Sequence, residues 1–190
     1  GLGVLPLDVG STPIDFLAAD GHKWLLGPEG AGLFYIRREH LARLRPVGVG
    51  WNSVVHARDF SRIELKLKDS AERYEGGSQN MAGMIALGES VALLLRFGVA
   101  AIAERIFAIT DLACARLSSI GARIVSDRRP ESKSGIVVFE MPGSDPAAIR
   151  QECLKRNVVL SCRGGRLRIS LHAYNSADDV DRLVAAVRGA

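Results

Sequence analysis

Asp20-Gly21-His22-Lys23-Trp24, running on to Gly27-Pro28-Glu29-Gly30-Ala31-Gly32, is the stretch that decides how this chain reads. Ile14, Phe16 and Leu17 precede it, and Leu33-Phe34-Tyr35-Ile36 follow at once. An apolar run therefore stands on each side of a glycine-rich connection. The pattern predicts a strand, a turn carrying the lysine, a tight Gly-Pro turn and a second strand. A lysine alone on such a turn is a surface residue. Flanked by His, Trp and several glycines, it is expected at a fixed point beside a ligand, because backbone without side chains approaches an anion closely.

The bulk of the chain narrows the function classes. Hydrophobic residues make up 47% and charged residues 24% of the 190 positions, which is ordinary for a globular protein with one good core or two small ones. The net charge of +4 carries no Lys/Arg run longer than Arg37-Arg38 or Arg128-Arg129, so no nucleic-acid surface is expected. Cys114, Cys153 and Cys162 are odd in number and widely spaced, which fits reduced thiols in a cytoplasmic protein better than a disulfide framework. The apolar stretch 91–103 is too short for a membrane span and contains Arg96. Neither membrane nor metal enters the reading.

Further along, residues 4–7 read as a buried strand, 38–44 as a short helix and 61–68, with Ile63, Leu65 and Leu67 alternating, as a half-exposed strand. Residues 80–105 read as one long helix with apolar residues all round it, the signature of a helix buried between domains or subunits. From 109 a compact α+β unit is expected. It has a helix over 109–120 ended by Gly121, strands over 123–126 and 136–141, and a helix from the Asp145-Pro146 cap to about 155. Strands over 158–162 and 167–171 are joined by Gly164-Gly165, and a last helix is capped by Ser176 and Asp179. The division is placed at 1–108 and 109–190.

Three ordered motifs carry a resemblance. Asp15-Phe16, Gly21-His22-Lys23 and Gly27-Pro28-x-Gly30 together resemble the Schiff-base lysine motif of the class V aminotransferases. That superfamily of pyridoxal-phosphate (PLP) enzymes includes cysteine desulfurases, isopenicillin-N-epimerase-like proteins and kynureninases. Tyr74-Glu75-Gly76-Gly77-Ser78 is similar to its aromatic-Glu-x-Gly-Thr/Ser segment. Arg168-Ile169-Ser170, Tyr174-Asn175-Ser176 and Asp178-Asp179-Val180-Asp181 are similar to its C-terminal pattern. The resemblance implies an α/β fold, namely part of a fold type I PLP-transferase large domain followed by an α+β small domain. In the family the strands, ring-stacking residue and pyridine-nitrogen carboxylate lie upstream of this region, so the chain reads as a C-terminal fragment that is inactive alone.

The resemblance also implies roles. Lys23 is the PLP-linking, catalytic residue, and His22, Gly77 and Ser78 contact the cofactor phosphate, Ser78 that of a neighbouring subunit in a homodimer. Asp20 departs from the pattern, since cysteine desulfurases usually place a phosphate-binding serine there; it either meets the phosphate through a shared proton or cation, or caps the loop's N–H groups. For Ser78, at the expected start of the long helix, an ordinary helix cap explains the residue without a ligand. Arg168 grips the carboxylate of a small amino-acid substrate, or else has a structural carboxylate partner. Trp51, Asn52 and His56 either line the partner's pocket or pack at the surface, and His172 and Tyr174 are structural. Cys162 falls at a strand end rather than on a long mobile loop, which disfavours desulfurase chemistry. The alternative to an enzyme is a non-catalytic dimerisation and substrate-side fragment without PLP.

Overall fold

The computed structural model describes residues 1–190, and its contacts divide the chain into two units. One comprises Leu2 and Pro6–Arg96; the other comprises Phe97–Ala190 with Gly1 and Gly3–Leu5.

In the first unit the apolar runs around the lysine pair as expected. β1 (Phe16–Asp20) lies antiparallel to β2 (Gly32–Ile36), with Phe16 opposite Ile36 and Asp20 opposite Gly32. Gly32 is required at that end, because a Cβ there would sit 2.6 Å from the Ala19 carbonyl. Short 3-10 turns follow at Arg38–His40, Trp51–Ser53 and Ala71–Tyr74. With so little ladder, side chains satisfy the loop carbonyls. Arg37 Nε donates to Ile14 O at 2.8 Å, Arg73 donates to Lys68 O and Leu41 O at 2.7 and 2.6 Å, and Tyr74 Oη donates to Leu44 O at 2.8 Å.

Four local expectations change here. Residues 4–7 form no strand: Val4 and Leu5 donate to the Gly1 carbonyl in a turn, with Val4 buried and Leu7 exposed. The helix over 38–44 is only a 3-10 turn. The alternation over 61–68 builds no strand either. It leaves one bridge between Val54 and Leu67, while Ile63 and Leu65 point into solvent, so the apolar alternation has no face to cover. Residues 80–105 are not one helix. α1 (Met81–Phe97) and α2 (Val99–Ser119) meet at Gly98, whose φ of 82° is a left-handed conformation that favours glycine. α1 is not buried all round; Gly83, Leu87 and Leu94 are buried, while Met81, Ile85 and Leu95 are exposed.

The second unit follows its sequence pattern closely. Its antiparallel sheet has the order β3 (Arg123–Ile124), β4 (Ile136–Glu140), β6 (Arg166–Ser170), β5 (Ser161–Arg163). Alternation puts Val137 and Phe139 of β4 and Leu167 and Ile169 of β6 into one core with α2, α3 (Pro146–Lys155) and α4 (Ala177–Arg188). The caps are those the sequence announces. Asp145 accepts from Ala147 and Ala148 N, and Ser176 and Asp179 form a reciprocal capping box. Asn157, with φ 57°, takes the left-handed position that ends α3. No single helix is long and apolar enough to cross a membrane.

Phe139 is fully buried in this core. Phe139→Ala is expected to destabilise the protein by about 3–5 kcal/mol, through lost transfer energy and a residual cavity. Urea unfolding followed by circular dichroism measures it, and an unchanged midpoint would remove Phe139 from the core.

Candidate functional site

Lys23 stands in a small closed loop inside the β1–β2 connection. Gly21 N donates to Ala31 O at 2.8 Å, continuing the ladder by one bond. Gly27 N donates to Gly21 O at 2.9 Å and pinches off residues 22–26, within which Leu26 N donates to Lys23 O at 3.1 Å. Leu26 has a φ of 57°, a left-handed conformation unusual for leucine and so a point of backbone strain. Leu25 is buried and anchors the loop, while His22 and Lys23 are exposed.

Helix α1 supports this loop. The Leu87 side chain lies so close that a Cβ on Gly27 would come within 2.7 Å of it, and one on Gly21 within 3.0 Å. Ser90 Oγ donates to Leu26 O at 3.0 Å. Asn80 makes two bonds: its Oδ1 accepts from Gly83 N at 3.0 Å, and its Nδ2 donates to Gly30 O at 3.1 Å. Asn80, Leu87 and Ser90 did not emerge from the sequence reading. An Asn immediately before an apolar helix was the available signal for the first.

Asp20 does not cap the loop N–H groups, one of its two sequence alternatives. Its carboxylate lies 2.5 Å from Lys23 Nζ, and the adjacent Gly21 N–H is taken by Ala31 rather than by Asp20. The hydrogen bond from Lys23, then its positive charge, holds the Asp20 carboxyl below the usual carboxylate range.

Ser78 is not a helix cap. α1 begins at Met81, and the cap geometry belongs to Asn80, so Ser78 precedes the helix cap by two residues. Its segment is nevertheless shaped. A Cβ on Gly50 would come within 1.9 Å of Gly76 O, Ser53 Oγ donates to Glu75 O at 3.3 Å, and a Cβ on Gly77 would sit 3.2 Å from Trp51 Nε1. Trp51 and Ser53 thus hold the Gly76-Gly77 backbone in place, and Asn52 accepts from Lys68 Nζ at 3.3 Å. Elsewhere in the unit Asp15, Glu39 and His40 bring ligand atoms together, but Arg37 lies 3.6 Å from the Asp15 carboxylate and already supplies positive charge.

In the second unit, Arg168 lies on the β6 face opposite the helices, across from Val138 on one side and Ser161 on the other. It is half-buried, and its Nε donates to Ser161 Oγ at 3.1 Å. The structural carboxylate partner is not found, since no ion pair reaches it. By contrast Glu140 is shared by Arg123 and by Arg166, the latter at 2.6 Å. His172 stacks on Tyr174 at 4.9 Å between ring centroids. Cys162 pairs with Leu167 inside the β5–β6 ladder.

The model of the aminotransferase class-V family matches residues 1–183. The chain belongs to the class V aminotransferases. It is 30% identical to a probable cysteine desulfurase of Methanothermobacter thermautotrophicus over 96% of its own length, and 30% identical to the isopenicillin N epimerase of Streptomyces clavuligerus over 97%. In each case it covers 49% of the relative, so this class V chain spans about half the length of these curated relatives. Its fold superposes with a TM-score of 0.90 on a C-DES mutant with glycine covalently linked to the PLP cofactor, at 22% identity, covering 98% of this chain and 49% of that one. The fold is therefore that of fold type I PLP enzymes, over about half of one.

PLP is the cofactor of this family, and the donor set suits a phosphate-bearing aldehyde. An exposed primary amine stands at a fixed loop tip, with an imidazole next to it and a hydroxyl after two glycines in the same unit. Asp20 is the exception, because a carboxylate adds negative charge beside a phosphate. Its pairing with Lys23 is checked by titration. The Asp20 carboxyl is expected to titrate below the ordinary value of about 3.9 because of Lys23. A carboxyl lowered by folding stabilises the folded state above its unfolded value, and that contribution is lost as pH falls through the lower, folded value. Carboxyl-carbon NMR of the wild type and Lys23→Ala is expected to show the signal moving back up in the variant. An identical titration in both would dissolve the pair.

Proposed function

We propose that the whole protein is a PLP-dependent enzyme acting at the Cα of a small amino acid, with Lys23 as the attachment point of the cofactor. The observation that carries this reading is the loop itself, in which Gly21, Gly27 and Leu87 hold Lys23 at one place on a class V chain. PLP, when bound, supplies an electron sink for negative charge developing at the substrate Cα.

The residues of this chain divide the remaining work. Lys23 Nζ would hold the cofactor covalently, and as a free amine it would take and return the proton at the substrate Cα. Asp20, 2.5 Å from that nitrogen, receives it when it is charged and free. His22 and the Gly77 backbone would hold the cofactor phosphate, and Ser78 would hold that of the neighbouring subunit in the homodimer. Arg168 presents a planar fork that suits the substrate α-carboxylate. Its half-buried position without an ion pair supports this, because such a charge is costly until an anion arrives.

Transamination, epimerisation and β-elimination share these first steps, and the relatives include both an epimerase and cysteine desulfurases by name. Desulfuration through a nucleophilic thiol on this chain is disfavoured. Cys162 sits inside a ladder whose turn is only Gly164-Gly165. We also infer a cytoplasmic homodimer; the exposed Met81, Ile85 and Leu95 on α1 and Phe60 and Ile63 in the preceding loops support a subunit interface.

Borohydride reduction of the whole protein with PLP is expected to attach one pyridoxyl group to Lys23, identified by peptide mass, and none in Lys23→Ala. Trapping at another lysine would overturn the assignment, and no trapping at all would favour a non-catalytic half. Arg168→Ala is expected to weaken amino-acid binding by about 1.5–3 kcal/mol, seen as a roughly ten- to hundred-fold rise in KM with PLP still trapped. Unchanged kinetics with every amino acid would remove Arg168 from the site.

A further inference from the structure

Asn80 is used by none of these roles, yet its amide joins two segments that are fifty residues apart. Its Oδ1 accepts from Gly83 N and its Nδ2 donates to Gly30 O. The orientation is fixed by chemistry, since a backbone N–H only donates and a carbonyl only accepts, so a flipped amide would break both bonds. Two glycines make room for it. A Cβ on Gly83 would lie 2.2 Å from Nδ2, and Gly30, at φ +76°, would bring a Cβ to 3.3 Å from the same atom. A helix cap alone needs only the oxygen, which serine or aspartate supplies equally well. The second bond is what asparagine adds.

We propose that Asn80 is a positioning residue for the lysine loop, coupling the first turn of α1 to the Gly-Pro turn that closes the loop. Gly30 precedes Ala31, whose carbonyl accepts from Gly21 N, and Gly21 in turn accepts from Gly27 N. Holding Gly30 therefore holds the chain of bonds that encloses Lys23. Ser78 lies two residues before Asn80, so the same amide fixes where the Gly77-Ser78 segment enters the helix. The consequence for cofactor attachment rests on the proposed role of Lys23; the mechanical coupling does not.

The two bonds separate by substitution. Asn80→Asp keeps an acceptor for Gly83 N–H but has no donor for Gly30 O, whereas Asn80→Ala loses both. Hydrogen exchange in the whole protein is read at Gly21, Gly27 and Gly83. Asn80→Asp is expected to leave Gly83 protected and to speed exchange at Gly21 and Gly27 about fivefold, the factor an ordinary hydrogen bond is worth. Borohydride trapping of PLP on Lys23 is expected to slow by a similar factor. Asn80→Ala is expected to speed exchange at all three positions; should it fail to fold, Asn80→Asp still decides. Wild-type exchange at Gly21 and Gly27 in Asn80→Asp would overturn the coupling and leave a simple cap. Faster loop exchange with trapping at a lysine other than Lys23 would uphold the coupling and overturn the Lys23 reading instead.

Discussion

The packing of Leu87 against Gly21 and Gly27 is the contact on which the site depends. Neither glycine leaves space for a side chain, and Leu87 is itself buried. A loop tip on an otherwise open hairpin would sample many positions, and fixing each residue costs about 1–2 kcal/mol of backbone entropy. Here the cost is shared between two short backbone bonds, one buried leucine of the loop and one of the helix. The strain at Leu26 fits this arrangement, because a left-handed leucine persists only where its surroundings over-determine it.

Charge is handled differently in the two units. The Lys23–Asp20 pair is more than half exposed on both sides, so solvent screens it and it contributes little to the stability of the fold. Glu140, Arg123 and Arg166 form a comparable surface cluster at the edge of the small sheet. Arg168, one residue beyond the buried Leu167, has no such partner. A half-buried guanidinium without an ion pair distinguishes Arg168 from the neighbouring Arg166, which pairs with Glu140.

The units also differ in how they are held. The second has a continuous core in which helices α2 to α4 cover alternate residues of β4 and β6. The first relies on arginine and tyrosine side chains bonded to loop carbonyls, and it exposes Val47, Phe60, Ile63 and Leu65.

Much was legible from sequence. The hairpin around Lys23 followed from two apolar runs and a glycine-rich link, and the second unit's helices followed from local caps such as Asp145-Pro146 and Ser176 with Asp179. These features are set within a few residues, which is the range over which composition speaks. The tertiary structure alone decided the rest. Strand-like alternation at Ile63 and Leu65 came to nothing because no sheet edge receives it, and the apolar helix broke at Gly98 because glycine permits a backbone turn that periodicity does not reveal. Ser78 lost the helix start to Asn80, and Asp20 turned to Lys23 rather than to the loop N–H groups, since both outcomes depend on which groups long-range packing brings within bonding distance.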